Sequence, residues 1–263
     1  MKLAVSGKGG VGKTTLVSLL ARLYAEEGHK VIAIDADPDA NLASALGFPA
    51  ELARSIVPIS EMKDLIEERT GAKPGTMGGI FRLNPRVDDI PERYSARYHD
   101  VRLLVMGTVK KGGSGCVCPE SVLLKSLVRY LLLERSQVVL MDMEAGVEHL
   151  GRGTAEAVNA MIVVVEPGLR SVETAHTIAA LAGDIRIPHV FAVGCKVRSE
   201  SDREFILRSL PDVPVLGYLS YSPLAIEADL AGKSVYDLDA GLVAEARTIK
   251  AMLGELLAVR SHF

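Results

Sequence analysis

A glycine-rich loop near the amino terminus has the composition and spacing of a phosphate-binding site. Residues 7–14 read GKGGVGKT, a pattern in which backbone N–H groups converge on phosphate oxygens. The lysine that ends such a loop neutralises the β- and γ-phosphates, and the hydroxyl after it can bind Mg²⁺. The sequence therefore predicts a nucleotide site with Thr14 as a magnesium ligand, formed by Gly9, Gly10, Val11, Gly12, Lys13, Thr14 and Thr15.

Carboxylates follow the next two apolar segments that could pair with the strand before this loop. Asp35 and Asp37 come after residues 31–34, and Asp142 comes after residues 138–141. A carboxylate at the end of such a strand can hold Mg²⁺ directly or through water. Gly146, four residues after Asp142, is a small residue whose backbone N–H could meet a γ-phosphate. We therefore interpret Asp37 and Asp142 as functional carboxylates rather than solvated strand ends.

The elements that must position these residues alternate along the chain between short apolar runs and helical patterns. Predicted helices cover residues 14–27, 120–134 and 172–182. Strands are predicted at residues 3–5, 31–34, 101–106, 138–141, 162–165, 190–193 and 215–219. Strands that are apolar throughout and separated by helices indicate a mostly parallel sheet with helices on both faces, an α/β fold.

One domain is expected over residues 1–263, because a chain of this length can bury a large core. Residues 71–100 are rich in Gly, Pro, Arg and Asp without a sustained period, so we interpret them as an irregular insertion. The net charge of −3 gives no basic field for nucleic acid, and no apolar run approaches the length of a membrane span. With three cysteines and no signal peptide, we expect a cytoplasmic protein without nucleic-acid or membrane partners.

Two of the three cysteines, Cys116 and Cys118, stand two residues apart after a glycine-rich stretch. This spacing disfavours a disulfide, whereas paired thiolates are soft ligands for Zn, Cu(I) or Ni. Two thiolates do not complete a tetrahedral site, but a two-fold axis would turn one pair into four. Two incidental exposed cysteines remain the alternative.

The run from Lys8 to Thr14 resembles the deviant Walker A motif of the MinD/ParA/nitrogenase iron-protein ATPases. The resemblance implies a P-loop fold, Mg²⁺-dependent hydrolysis of ATP to ADP and phosphate, and an ATP-sandwich homodimer. It implies that Lys8 acts on the partner subunit's nucleotide and that Asp37 positions the attacking water. Asp142 and Gly146 match the family's second switch segment.

The resemblance is incomplete at the predicted base contact. Family members commonly carry Asn before the lysine at the end of this strand, whereas here Cys195 precedes Lys196. By resemblance, Lys196 and Pro223 help to bind the base. Cys195 itself is typical of a small, partly buried structural residue.

Residues 112–118 and 142–150 together are similar to the CooC-type nickel-insertion ATPases. This resemblance implies a dimeric metallochaperone that binds Ni²⁺ or Zn²⁺ through Cys116 and Cys118. Its client would be carbon monoxide dehydrogenase or acetyl-CoA synthase, two nickel enzymes that the sequence does not separate.

Two alternatives stay open. An iron–sulfur-carrying redox ATPase could use the same cysteines. A positioning ATPase without metal would need a basic amphipathic tail for membrane binding. The last predicted helix instead carries an apolar stripe typical of core packing, made of Leu242, Ala246, Ile249, Leu253 and Leu256.

Overall fold

An eight-stranded sheet forms the centre of the fold in the computed structural model, which describes residues 1–75, 80–108, 118–134, 136–147, 150 and 152–260. The strands are β1 (Lys2–Gly7), β2 (Val31–Asp35), β3 (Ala96–Tyr98), β4 (Val101–Val105), β5 (Val138–Asp142), β6 (Ala160–Val165), β7 (Val190–Val197) and β8 (Val215–Ser220). Their order is β3-β4-β2-β5-β1-β6-β7-β8, and only the β3–β4 pair is antiparallel. The predicted α/β fold with a mostly parallel sheet is confirmed.

Helices connect the strands, beginning with α1 directly after the glycine loop. They are α1 (Lys13–Glu26), α2 (Leu42–Ala45), α3 (Ala50–Ser55), α4 (Lys63–Thr70), α5 (Ile90–Tyr94), α6 (Pro119–Leu133), α7 (Arg152–Ala155), α8 (Leu169–Asp184), α9 (Glu200–Ser209), α10 (Pro223–Leu230), α11 (Val235–Leu238) and α12 (Ala240–Arg260). A 3-10 turn covers Ile59–Glu61. Within the described residues, four of these helices start at a side chain that accepts a backbone N–H, which satisfies a free donor of the first turn: Cys118, Ser199, Ser222 and Ser234.

The strand side chains alternate between two apolar clusters, one on each face of the sheet. Leu3 and Val5 pack with buried residues of α1 and α12, whereas Ala4 faces the cluster formed with α4, α6, α8 and α9. Because both faces are covered, the inner strands are buried at every position. Near-continuous apolar runs are therefore required here, as the sequence indicated.

The apolar stripe of α12 packs into the core. Leu242, Ala246, Ile249 and Leu253 are buried, and Leu256 packs against the same cluster. The interpretation of this stripe as a packing surface is confirmed. Among the described residues, no helix has the length and apolarity needed to cross a membrane.

The segment predicted as an irregular insertion contains two short elements, α5 and β3, that periodicity did not reveal. β3 adds an antiparallel edge strand to the sheet. The Arg69 guanidinium of α4 donates to Asp89 at 2.7 Å, and this bond lowers the pKa of Asp89 to about 2. An ion pair therefore fastens this segment to the body of the domain. Residues 76–79 lie outside the described part of the chain.

A buried lysine links β1 to the far end of α6. Lys2 is 5% exposed, and its Nζ donates to the carbonyl oxygen of Leu131 at 2.8 Å. Burial lowers the pKa of Lys2 from 10.5 to about 8, although the charge of Glu134 opposes the shift. Burial of the charged amine lowers the free energy of unfolding, because the ammonium group loses most of its hydration.

This lysine predicts a pH dependence of stability. Between pH of about 8 and 10.5 the unfolded chain holds one more proton at Lys2 than the folded chain does. The free energy of unfolding of the wild type should therefore rise with pH relative to that of Lys2→Met, by roughly 3 kcal/mol across the window. Urea unfolding of both proteins at several pH values measures the difference. Parallel curves would show that Lys2 titrates normally.

Candidate nucleotide-binding site

The glycine loop lies between β1 and α1, at the carboxyl edge of the sheet. Gly12 has a φ of 106°, in the left-handed region that disfavours residues with a Cβ. A Cβ there would also stand 2.7 Å from the Sγ of Cys195, and one on Gly7 would stand 2.5 Å from the Val164 carbonyl oxygen. Neighbouring strands therefore leave room for glycine alone at these two positions, and the loop opens onto the amino end of α1.

Lys13 lies inside this loop with its side chain almost fully covered. Its side chain is 6% exposed, and Nζ lies 3.8 Å from Asp37 Oδ2 and 3.5 Å from the carbonyl oxygen of Lys8. The ammonium group is thus held between a carboxylate and the loop backbone. A phosphate entering the loop would meet a lysine that is already oriented.

Thr14 and Asp142 meet where a magnesium ion would be expected. The Thr14 hydroxyl donates to Asp142 Oδ2 at 2.6 Å, while Asp142 Oδ1 is buried without a hydrogen-bond partner among the described residues. Burial raises the pKa of Asp142 to about 6. A hydroxyl beside a carboxylate with one unsatisfied oxygen is the donor set that Mg²⁺ prefers, so these residues fit the ion.

Asp35 organises the turn that carries Asp37. Its carboxylate accepts the backbone N–H of Leu42 at 2.9 Å and that of Asp37 at 3.3 Å. Burial raises the pKa of Asp35 to about 7, and the nearby charge of Asp142, its register partner on β5, adds to the shift. Asp35 therefore shapes the loop, and Asp37 is left half-buried beside Lys13.

The 142–147 segment is attached to β1 by a residue that sequence reasoning missed. The Ser6 hydroxyl donates to the carbonyl oxygen of Glu144 at 2.6 Å and accepts the N–H of Gly146 at 3.1 Å. Gly146 thus lies beside the start of the glycine loop. The sequence feature that could have pointed to Ser6 is a single hydroxyl residue within an otherwise apolar, buried strand.

Glu166 is a second missed residue, and it joins two lysines. Its carboxylate lies 3.8 Å from Lys8 Nζ and 3.4 Å from Lys196 Nζ. Lys196 also donates to the carbonyl oxygen of Gly10 at 2.5 Å. Glu166 directly follows β6, as Asp142 ends β5, and this repeated position at the sheet edge could have revealed it.

A cavity of about 490 Å³ opens beside the loop, next to Gly12 and Thr15. Cys195 and Lys196 line one side, and Ala225 and Ile226 of α10 line another. Pro223 begins α10 and so fixes where that helix borders the cavity. Arg198 and Tyr221 also line the cavity, and the Arg198 guanidinium lies 3.9 Å from the centre of the Tyr221 ring.

Cys195 is a structural thiol. It is 5% exposed, and burial raises its pKa to about 12. A thiol that stays protonated is neither a nucleophile nor a metal ligand at neutral pH. Its sulfur instead packs against Gly12 of the glycine loop.

Of the two predicted metal ligands, Cys118 lies within the described part of the chain, at the start of α6. Cys118 caps α6, with its Sγ accepting the N–H of Ser121 at 3.5 Å. The carboxylate of Glu120, in the first turn of α6, accepts the backbone N–H of Gly75 at 2.6 Å. This bond connects α6 to the segment after α4. Cys116 lies outside the described residues. Within the part of the chain that is described, no three His, Cys, Asp or Glu side chains form a metal cluster.

Comparison with known proteins identifies relatives across the whole chain. The CobQ/CobB/MinD/ParA nucleotide binding domain family matches residues 2–235. The carbon monoxide dehydrogenase accessory protein CooC of Rhodospirillum rubrum is 50% identical, covering 97% of both chains. An uncharacterised ATP-binding protein of Methanocaldococcus jannaschii is 46% identical, covering 95% of this chain and 96% of its own.

Solved structures share the fold at lower identity. The MinC:MinD cell division complex of Aquifex aeolicus matches with a TM-score of 0.68 at 19% identity, covering 97% of this chain and 96% of that one. A ParA family ATPase from Chlorobium tepidum matches with a TM-score of 0.68 at 14% identity, covering 96% and 97%. These likenesses confirm the P-loop architecture.

The donor set at Thr14 predicts how magnesium strengthens nucleotide binding. Asp142→Asn replaces the carboxylate with an uncharged amide and removes the unsatisfied oxygen that Mg²⁺ would use. We expect ATP affinity in Mg²⁺ to fall roughly tenfold to a hundredfold, with affinity in EDTA little changed. Calorimetric titration with and without Mg²⁺ measures both.

Asp39→Asn is the matched control, since this exposed carboxylate lies on the loop after β2, where its backbone N–H donates to Asp37. An Asp142→Asn protein that keeps the full magnesium effect would remove Asp142 from the metal site.

Proposed function

Because the chain belongs to the CobQ/CobB/MinD/ParA nucleotide-binding family, and is an ATPase by that membership, we propose that it is an ATP-dependent metallochaperone for a nickel enzyme. The observation that carries the proposal is the 50% identity with the carbon monoxide dehydrogenase accessory protein over 97% of the chain. Carbon monoxide dehydrogenase is the proposed client, and acetyl-CoA synthase is the alternative client.

Hydrolysis is assigned to residues at the carboxyl edge of the sheet. Lys13 binds the β- and γ-phosphates. Asp37, whose Oδ2 lies 3.8 Å from Lys13 Nζ, orients the attacking water. Thr14 and Asp142 would hold Mg²⁺, which would supply positive charge beside the phosphate oxygens. The N–H of Gly146 binds the γ-phosphate. Each of these groups already lies around one loop, which supports the assignment.

Lys8 is assigned to the nucleotide of a second subunit. Its side chain is 39% exposed and is held by Glu166 on the outer side of the loop. From there it can extend away from its own loop, whereas Lys13 is buried inside it. A homodimer with both nucleotides between the subunits would use both lysines, each for a different nucleotide.

The base is assigned to the cavity beside the loop. Lys196 supports the loop from that side through the carbonyl oxygen of Gly10, and Pro223 fixes the start of the helix that borders it. With Cys195 in place of an amide, hydrogen bonding to the base edge is weakened. The planar Arg198–Tyr221 pair offers a stacking surface instead.

The metal is assigned to Cys116 and Cys118 from each of two subunits. A thiolate at Cys118 is stabilised by the amino end of α6, a helix of 15 residues. Four such sulfurs satisfy a tetrahedral ion, so a dimer would bind one Ni²⁺ or Zn²⁺ as cargo.

A packed path can couple the two sites. Leu150, just after the 142–147 segment, is buried in the same apolar cluster as Leu123 and Leu127 of α6. A rearrangement of that segment at the γ-phosphate would therefore act on α6 through the apolar cluster that they share. We expect nucleotide state and metal affinity to be linked in this way.

Metal titration tests the proposal. Cys116→Ala/Cys118→Ala removes both soft ligands, so we expect stoichiometric binding of Zn²⁺ or Ni²⁺, near one ion per dimer, to disappear. Titration calorimetry gives the stoichiometry, and analytical ultracentrifugation gives the size of the particle that binds.

Cys195→Ala is the matched control, because it removes a buried thiol whose pKa of about 12 keeps it protonated. It should leave metal binding unchanged. Unaltered stoichiometry in the double variant, or loss of binding in the control, would contradict the assignment of the paired cysteines.

A further inference from the structure

Ser6 is a fully buried serine whose hydrogen bonds involve the 142–147 segment rather than its own strand. It is 0% exposed and stands one residue before the glycine loop. Its Oγ lies 2.6 Å from the Glu144 carbonyl oxygen, 3.1 Å from the Gly146 carbonyl oxygen and 3.1 Å from the Gly146 nitrogen. A hydroxyl has one proton, so the shortest contact assigns it to Glu144, and the Gly146 N–H donates back to Oγ.

The N–H of Gly146 is therefore already engaged. Besides Ser6 Oγ it faces the carbonyl oxygen of Glu144 at 2.8 Å, which closes a tight turn. Gly146 is buried, so water does not compete for this donor. An N–H committed to these two oxygens has to leave at least one of them before it can bind another acceptor.

We propose that Ser6 is a positioning residue. It holds Gly146 in the conformation that the protein has when no γ-phosphate is bound, and it competes with ATP for the Gly146 N–H. The inference rests on the proposed γ-phosphate contact of Gly146. ATP must displace the serine, and ADP, which ends at the β-phosphate, does not reach it. Ser6 thereby lowers the preference of the protein for ATP over ADP and keeps the 142–147 segment closed until a γ-phosphate is present.

The chemistry of a serine suits this task. One net hydrogen bond is strong enough to bias the segment and weak enough for a charged phosphate oxygen to replace it. A charge-assisted bond from Gly146 to the γ-phosphate would be stronger than the neutral bond to Ser6. The exchange is therefore favourable with ATP and does not occur with ADP.

Ser6→Ala tests the proposal through the ratio of two affinities. Dissociation constants for ADP and for an ATP analogue with an imido bridge between the β- and γ-phosphates are measured by calorimetry in Mg²⁺, at equal protein concentration. Removal of the hydroxyl should strengthen analogue binding relative to ADP by about threefold to tenfold. A change common to both nucleotides cancels in the ratio.

Ser18→Ala is the matched control. Ser18 is equally buried, and its hydroxyl donates to the carbonyl oxygen of Thr15 at 2.9 Å within α1. Its loss removes one buried hydrogen bond near the same loop but none to the 142–147 segment, so the ratio should stay at the wild-type value. If Ser6→Ala does not fold, Ser6→Cys fills the same volume with a weaker donor and is measured identically.

A ratio that rises in the Ser6 variant alone supports the proposal. A ratio that is unchanged, or that falls because the serine helps to bind ATP, overturns it. Metal binding does not enter this measurement, so failure of the metallochaperone assignment would leave the result readable. Conversely, a failed ratio test would leave the cysteine titration intact.

Discussion

The hydrogen bond between Thr14 and Asp142 holds the nucleotide site together. At 2.6 Å it connects the first turn of α1 to the end of β5, two elements distant in sequence. Asp142 is 1% exposed, and this burial disfavours the charged carboxylate and raises its pKa to about 6. A buried carboxylate of this kind needs an opposite charge nearby, and Lys13 supplies one. The proposed magnesium ion would add a second.

The strand order explains why two kinds of chemistry meet at one loop. β1 lies between β5 and β6, so the loop that follows it has Asp142 on one side and Glu166 on the other. On the β5 side are the groups assigned to phosphate and magnesium. On the β6 side are Lys8, Lys196 and the cavity assigned to the base. From the β5 side, Leu150 leads to α6 and hence to Cys118. The parallel sheet thus places the groups assigned to hydrolysis and those assigned to dimer contact on opposite sides of one loop.

Much of this could be read from the sequence because it is encoded locally. The loop pattern, the apolar strands and the stripe of α12 each follow from residues near one another in the chain. Glu166 and Ser6 were missed because their roles come from sheet neighbours, β7 and β5, that spacing does not reveal. The short elements α5 and β3 escaped for a related reason, since an ion pair between Arg69 and Asp89 and edge pairing with β4 stabilise them. Cys116 lies outside the described residues, so its assignment as a metal ligand stays a prediction.

Linkage between nucleotide and metal is the central claim, and one measurement tests it most directly. The affinity for Zn²⁺ or Ni²⁺ is determined by calorimetry in saturating ADP and again in a saturating non-hydrolysable ATP analogue. Coupling predicts affinities that differ by at least about fivefold, with the reciprocal change in nucleotide affinity when metal is bound. Equal metal affinity in the two nucleotide states would contradict the account, because an ATPase whose hydrolysis leaves its cargo site unchanged has no means of driving metal transfer.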